Sequence, residues 1–71
     1  MDGATVERLV RSLIVDFGLP YQLIGAERSN GLWEVTILDA QRRVRRFALH
    51  DSAPASMRAS AKAQLDAWME D

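Results

Sequence analysis

The chain of 71 residues contains no cysteine. Without thiols neither a disulfide nor a thiolate metal site can form, so packing or self-association has to stabilise the fold, and a reducing, cytoplasmic location is expected. Histidine occurs once, at His50, which excludes a metal centre built from several histidines. We therefore expect no metal and no cofactor. An enzyme would have to use His50 as its base, with the neighbouring Asp51 to orient it.

Long apolar runs and an excess of one charge are also missing. No apolar stretch approaches the roughly 20 residues that span a bilayer, and the N-terminus lacks the pattern of a signal peptide, so no membrane partner is expected. Nine Lys and Arg against ten Asp and Glu give a net charge of -1, which disfavours non-specific attraction to nucleic acid by the molecule as a whole. With 48% apolar and 27% charged residues, the composition is typical of one globular domain over residues 1–71.

The first segment with a helical period lies near the N-terminus. Asp2 or Thr5 can cap it, and Gly18 followed by Pro20 predicts that it ends at Phe17 or Gly18. The spacing places one apolar face on this helix, formed by Val6, Leu9, Val10, Leu13, Ile14 and Phe17.

A second helix is predicted at the C-terminal end, reaching to about Met69. Asp51 or Ser52 is the expected cap, and Pro54 fits the first turn, where its missing N–H costs nothing. Much of the rest is alanine, a strong helix former. The inward stripe is predicted to contain Met57, Ala61, Leu65 and Trp68.

Three segments between the helices favour strands. Asn30–Gly31 is a strong hairpin signal, because both residues accept the positive φ angles of a type I′ turn. With these two residues as the turn, the register places Ile24 opposite Ile37 on the core face. The same register places Leu23 opposite Leu38 on the other face.

The second turn lies within Asp39–Arg43, and its length decides which side of the third strand is buried. An odd-length loop turns Phe47 and Leu49 toward the core, whereas a loop of two or four residues would bury Arg46 instead. Burying two large apolar side chains contributes about 1.5–3 kcal/mol each, while an unpaired inward arginine would cost several kcal/mol. We therefore expect the odd loop, with Arg46 on the opposite face beside Glu34.

Together these elements predict an α+β fold of order α-β-β-β-α. The sheet is expected to be three-stranded and antiparallel, with strand order 1-2-3 and both helices on one face, so that the other face stays open.

A soluble monomer should not expose a contiguous apolar patch without reason, unless side chains such as Arg46 and Glu34 cover it. The leading hypothesis is a non-enzymatic interaction module that binds a protein partner or a second copy of itself. Its predicted contacts on the open face are Tyr21, Leu23, Leu32, Leu38 and Val44.

Four arginines, Arg42, Arg43, Arg45 and Arg46, form the main concentration of charge. Nucleic-acid binding through their contacts with phosphates is the alternative function. They could also guard an edge strand against aggregation, or form ion pairs with a partner. The alternation of the strand divides them, with Arg43 and Arg45 on the helix side and Arg42 and Arg46 on the open side.

The α-β-β-β-α order, the Gly18–Pro20 helix exit and the alanine-rich last helix resemble the layout of double-stranded-RNA-binding domains, over nearly the whole chain. That family binds phosphates with a lysine-rich start of its last helix and reads a minor groove with the loop between its first two strands. The matching helix start has only Arg58 and Lys62 as basic residues, and the matching loop is the tight turn at Ser29–Gly31. The resemblance therefore implies the fold and does not carry RNA binding over to this chain.

Overall fold

The fold consists of two helices and three strands, and it is seen in a computed structural model that describes residues 1–70. The three strands form one antiparallel sheet in the order β1-β2-β3. The predicted α-β-β-β-α fold is therefore confirmed. Within residues 1–70, no helix has the length and apolar composition needed to cross a bilayer. The elements in chain order are α1 (Gly3–Asp16), β1 (Gln22–Ser29), β2 (Leu32–Leu38), β3 (Val44–His50) and α2 (Pro54–Met69).

Helix α1 begins and ends at residues with clear capping roles. The Asp2 carboxylate accepts a hydrogen bond of 2.8 Å from the backbone N–H of Thr5, so Asp2 is the N-cap. The last helical residue is Asp16, slightly earlier than predicted, and Gly18 follows with a φ of +59° that suits glycine. Phe17 is thereby turned away from the core and is 53% exposed, contrary to the predicted stripe.

Both helices contribute to a core on one side of the sheet. The predicted inward stripe of α2 is confirmed, since Met57, Ala61 and Leu65 are buried and Trp68 packs against them. Leu9 packs against the same cluster. The buried apolar side chains are Val6, Val10, Leu13, Ile14, Trp33, Val35, Ile37, Phe47, Leu49, Met57, Ala61 and Leu65.

Helix α2 starts without a side-chain cap. Its N-cap is Ala53, and the prediction of Asp51 or Ser52 in this role was wrong. The Asp51 carboxylate lies 3.1 Å from the guanidinium of Arg28, while the Ser52 hydroxyl donates to the backbone carbonyl two residues earlier. The expected position of Pro54 in the first turn is confirmed.

The β1–β2 hairpin follows the predicted register only in part. Asn30 and Gly31 have φ angles of 52° and 78°, as a type I′ turn requires. The pairs from the turn up to Gly25 opposite Thr36 are as predicted. Beyond Gly25 a β-bulge shifts the register by one residue, and the rest of the predicted pairing was wrong.

The bulge residue is Ile24, which is 54% exposed instead of buried. Leu23 now pairs with Ile37, and both Leu23 and Tyr21 pack against the core. Because the shift moves two large side chains inward and leaves one outside, it buries more apolar surface than the regular register would.

The β2–β3 connection has five residues, Asp39–Arg43, so the expected odd loop is confirmed. Val35 pairs with Phe47 and Trp33 with Leu49. All four of these side chains are buried. The alternation then places Arg46 on the open face and Arg45 on the helix side.

Candidate functional site

The open sheet face carries its exposed apolar side chains mainly at one end. Leu38 pairs with Val44, which is 54% exposed, and Ile24 adds an equally exposed side chain at the β1 edge of this end. We call these three residues the apolar end. Leu32 is six residues from Leu38 along β2, about 20 Å at the usual rise per residue, so it does not belong to this cluster. The apolar surface is thus smaller than the sequence predicted.

Tyr21 and Leu23 lie on the helix side, and their predicted place on the open face was wrong. The bulge at Ile24 turns Leu23 toward the core. The Tyr21 hydroxyl donates a hydrogen bond of 3.5 Å to the backbone carbonyl of Leu65, and its ring meets Trp68 edge-on, with the centroids 5.8 Å apart. Burial raises the pKa of the Tyr21 hydroxyl above its ordinary value of 10.0, which extends to higher pH the range in which it donates this hydrogen bond.

Charged side chains border the apolar end on the open face. The Nε of Arg46 lies 3.5 Å from a carboxylate oxygen of Glu34, as predicted. Glu27 lies directly opposite Glu34 in the β1–β2 ladder. Arg46 is therefore in the row next to Leu38 and Val44, and the two glutamates lie one row further along the same face.

The arginines of the β2–β3 hairpin lie in different environments. Arg46 is on the open face, while the guanidinium of Arg45 lies over the Trp68 ring on the helix side, 4.4 Å from its centroid. The Nε of Arg43 is 3.4 Å from Asp39 Oδ2, and Arg42 adopts a φ of +62° in the turn. The structure thus divides this charge cluster instead of presenting it as one surface.

The basic residues at the start of α2 both have acidic neighbours. The guanidinium of Arg58 lies 2.8 Å from the carboxylate of Asp16, which joins α2 to the end of α1. Lys62 pairs with Asp66 one turn further along α2. These carboxylates offset the positive charge of the segment that the RNA-binding family uses for phosphates.

A pocket of about 340 Å³ lies between the β2–β3 loop and the end of α2. Its lining includes Tyr21, Asp39, Arg43, Arg45 and Trp68. The pocket therefore combines two arginines and one aspartate with two aromatic rings. This pocket was not predicted from the sequence.

Asp39 is the buried polar residue of this pocket, with an exposed fraction of 7%. Its Oδ1 accepts hydrogen bonds from the backbone N–H groups of Gln41, at 2.9 Å, and Arg43, at 2.8 Å. The bond from Arg43 is the main cause that holds the pKa of Asp39 below its ordinary value, against the opposite effect of burial. Oδ2 accepts no hydrogen bond within residues 1–70, although Arg43 lies beside it. The ionised carboxylate stabilises the five-residue turn.

Two signals for the pocket were present in the sequence. The strand alternation placed Arg45 on the helix side, and the helical stripe placed Trp68 facing inward. Contact between Arg45 and Trp68 depends on how far α2 extends along β3. Neither the strand alternation nor the helical period determines this. Asp39 also had a recognisable role, since aspartate side chains often accept backbone N–H groups in turns.

His50 is exposed at the end of β3. The carboxylate of the neighbouring Asp51 forms an ion pair with Arg28, so it is not dedicated to orienting the imidazole of His50. In the described part of the chain, no three His, Asp or Glu side chains come together as a metal site would require.

No protein-family model matches this chain, and neither the curated proteins nor the solved structures with which it was compared include a match. Any inference about function therefore rests on the surfaces of the chain itself.

Proposed function

We propose that this protein is a small non-enzymatic interaction module that binds a second copy of itself through the open sheet face. The observation that carries this proposal is the apolar end, where Ile24 and Val44 are each 54% exposed beside Leu38. Both helices pack on the other side of the sheet. Contact between two apolar ends would remove this surface from water.

The charges beside the apolar end favour a second copy as the partner. A two-fold symmetric interface brings the same patch of both subunits together, so the patch has to complement itself. Glu27, Glu34 and Arg46 supply both signs within adjacent rows of the sheet. Arg46 of one copy can therefore approach a glutamate of the other. A patch with one sign of charge would repel its own copy.

The test is the molar mass in solution, measured by size exclusion with light scattering over a series of protein concentrations. We expect mass to rise toward that of a dimer with concentration, and Val44→Glu or Leu38→Glu to abolish this rise. Val15→Glu is the matched control, since Val15 is 73% exposed on α1, away from the sheet. Circular dichroism checks that each variant is folded. A wild-type chain that stays monomeric at every concentration would refute self-association.

Nucleic-acid binding through Arg42, Arg43, Arg45 and Arg46 is the weaker alternative. Arg43 and Arg46 already have carboxylate partners, and Arg45 and Arg46 lie on opposite sides of the sheet. Binding of this kind would fall steeply with salt concentration and would be lost on charge reversal. Absence of binding to single-stranded and duplex RNA and DNA at low salt would eliminate it.

A further inference from the structure

Arg45 differs from the other basic side chains in its surroundings. Within residues 1–70, six of the nine Lys and Arg side chains lie within ion-pair distance of a carboxylate. Of the three that do not, Arg8 and Arg42 are exposed, whereas Arg45 is half-buried. Removing a cation from water without an anionic partner costs free energy. Arg45 is therefore the cation for which an external anion would be most favourable.

Aromatic contacts hold the guanidinium of Arg45 in place. Its centre lies 4.4 Å from the centroid of the Trp68 ring, a distance typical of a cation–π contact. Trp68 is itself fixed by edge-on contacts with Tyr21 and Phe47, whose centroids are 5.8 and 5.5 Å away. An arginine stacked on a ring keeps its N–H groups free for a second partner. A ligand would therefore meet a pre-organised donor, which lowers the entropic cost of binding.

The pocket beside Arg45 has the size and charge to receive such a ligand. Its volume of about 340 Å³ is at the lower end of the range for small-molecule sites. Arg43 and Arg45 together outweigh Asp39 by one positive charge, although the chain as a whole has a net charge of -1. Asp39 Oδ2 is buried next to Arg43, so this carboxylate holds Arg43 and is not itself exposed to a ligand.

We propose that this pocket binds a small molecule carrying an oxyanion, either a phosphate or a carboxylate, through the guanidinium of Arg45. Both groups match the planar fork of donors that arginine offers, and such pairs are often bidentate. Trp68 and Tyr21 supply apolar surface for the remainder of the ligand. The site is separate from the apolar end, so binding here does not depend on self-association.

The test is a titration of the ¹⁵N-labelled protein, followed by nuclear magnetic resonance. Inorganic phosphate and acetate are the two probes, and chloride at the same ionic strength is the reference. We expect the indole N–H of Trp68 and the Nε–H of Arg45 to shift with phosphate, acetate or both. The indole of Trp33 serves as an internal control, since this side chain is 4% exposed in the core. Shifts with phosphate alone or acetate alone identify the oxyanion that the pocket prefers.

Two substitutions on the same hairpin complete the experiment. Arg45→Gln is expected to remove the shifts of Trp68, whereas Arg42→Gln, at the exposed turn, is expected to leave them unchanged. Arg45→Lys keeps the charge but loses the planar fork, so weaker binding is expected. If Arg45→Gln does not fold, Arg45→Lys is compared with the wild type instead. The proposal is overturned if neither phosphate nor acetate produces larger shifts than chloride, or if every Arg45 variant that folds binds as the wild type does.

Discussion

Leu23 pairs with Ile37 across the β1–β2 ladder, and the bulge that allows this pairing leaves Ile24 exposed. We expect Leu23→Thr to lower the free energy of unfolding by about 1–3 kcal/mol, since it removes apolar atoms from the core. Ile24→Thr should change it by no more than about 0.5 kcal/mol, because the side chain is largely in water and threonine keeps the β propensity. Urea denaturation of both variants measures the difference.

A regular ladder without the bulge predicts the opposite order, with Ile24 buried and Leu23 outside. A larger loss from Ile24→Thr than from Leu23→Thr would therefore contradict the bulge. The comparison is well matched because the two residues are adjacent and both become threonine.

The features of the fold that were predictable from the sequence are those that depend on local interactions. The helical stripe from Val6 to Ile14 and the turn at Asn30–Gly31 depend on residue spacing and on backbone preference, and both were predicted. The parity of the 39–43 loop followed from a large energy difference between burying Phe47 and burying Arg46. The bulge at Ile24 could not be predicted in this way. It is a compromise between regular hydrogen bonding and burial, and its balance depends on the space left by the helices.

The error in the predicted β1–β2 register also changed which residues form the candidate surfaces. One shifted register removed Tyr21 and Leu23 from the open face and added Ile24 to it. The place of Leu38 on that face depended on alternation along β2, whereas that of Val44 also depended on the odd length of the 39–43 loop, and both were predicted. The pocket beside Arg45 joins three separate segments, so no single periodicity points to it.

Asp39 makes the stability of the fold depend on pH. Its folded-state pKa is lower than the ordinary value of 3.8, so the ionised carboxylate stabilises the fold fully above that value. This contribution should fall as the pH drops below 3.8 and through the folded-state pKa. Asp39→Asn retains an acceptor for the backbone N–H groups of Gln41 and Arg43 but does not titrate. We expect its loss of stability in acid to be smaller than that of the wild type.

Denaturant unfolding of both proteins from neutral to acid pH measures this difference. Asp2 also has a lowered pKa, chiefly through its bond to Thr5, but it titrates in both proteins and cancels in the comparison. Parallel pH profiles for the wild type and Asp39→Asn would contradict the assigned role of Asp39.

The ion pair between Asp16 and Arg58 connects the end of α1 with α2, at a distance of 2.8 Å. Both side chains are substantially exposed, so the pair should contribute only about 0.2–1 kcal/mol. A double-mutant cycle with Asp16→Asn and Arg58→Gln measures this coupling energy. It should decrease as salt concentration rises, because exposed charges are screened. A coupling energy that is large and independent of salt would contradict this assignment.

The missing cap of α2 offers a way to stabilise the protein. Ala53 occupies the N-cap with an extended backbone, at φ −62° and ψ 144°, but has no side chain to accept a hydrogen bond. Ala53→Asp supplies an acceptor and places a negative charge at the positive end of the helix dipole. We expect the free energy of unfolding to rise by about 0.5–2 kcal/mol at neutral pH. Ala63→Asp, at an exposed position inside α2, is the control and should be destabilising because aspartate is a poor interior helix former. Equal effects of the two variants in thermal and denaturant unfolding would show that added charge, not capping, determines the change.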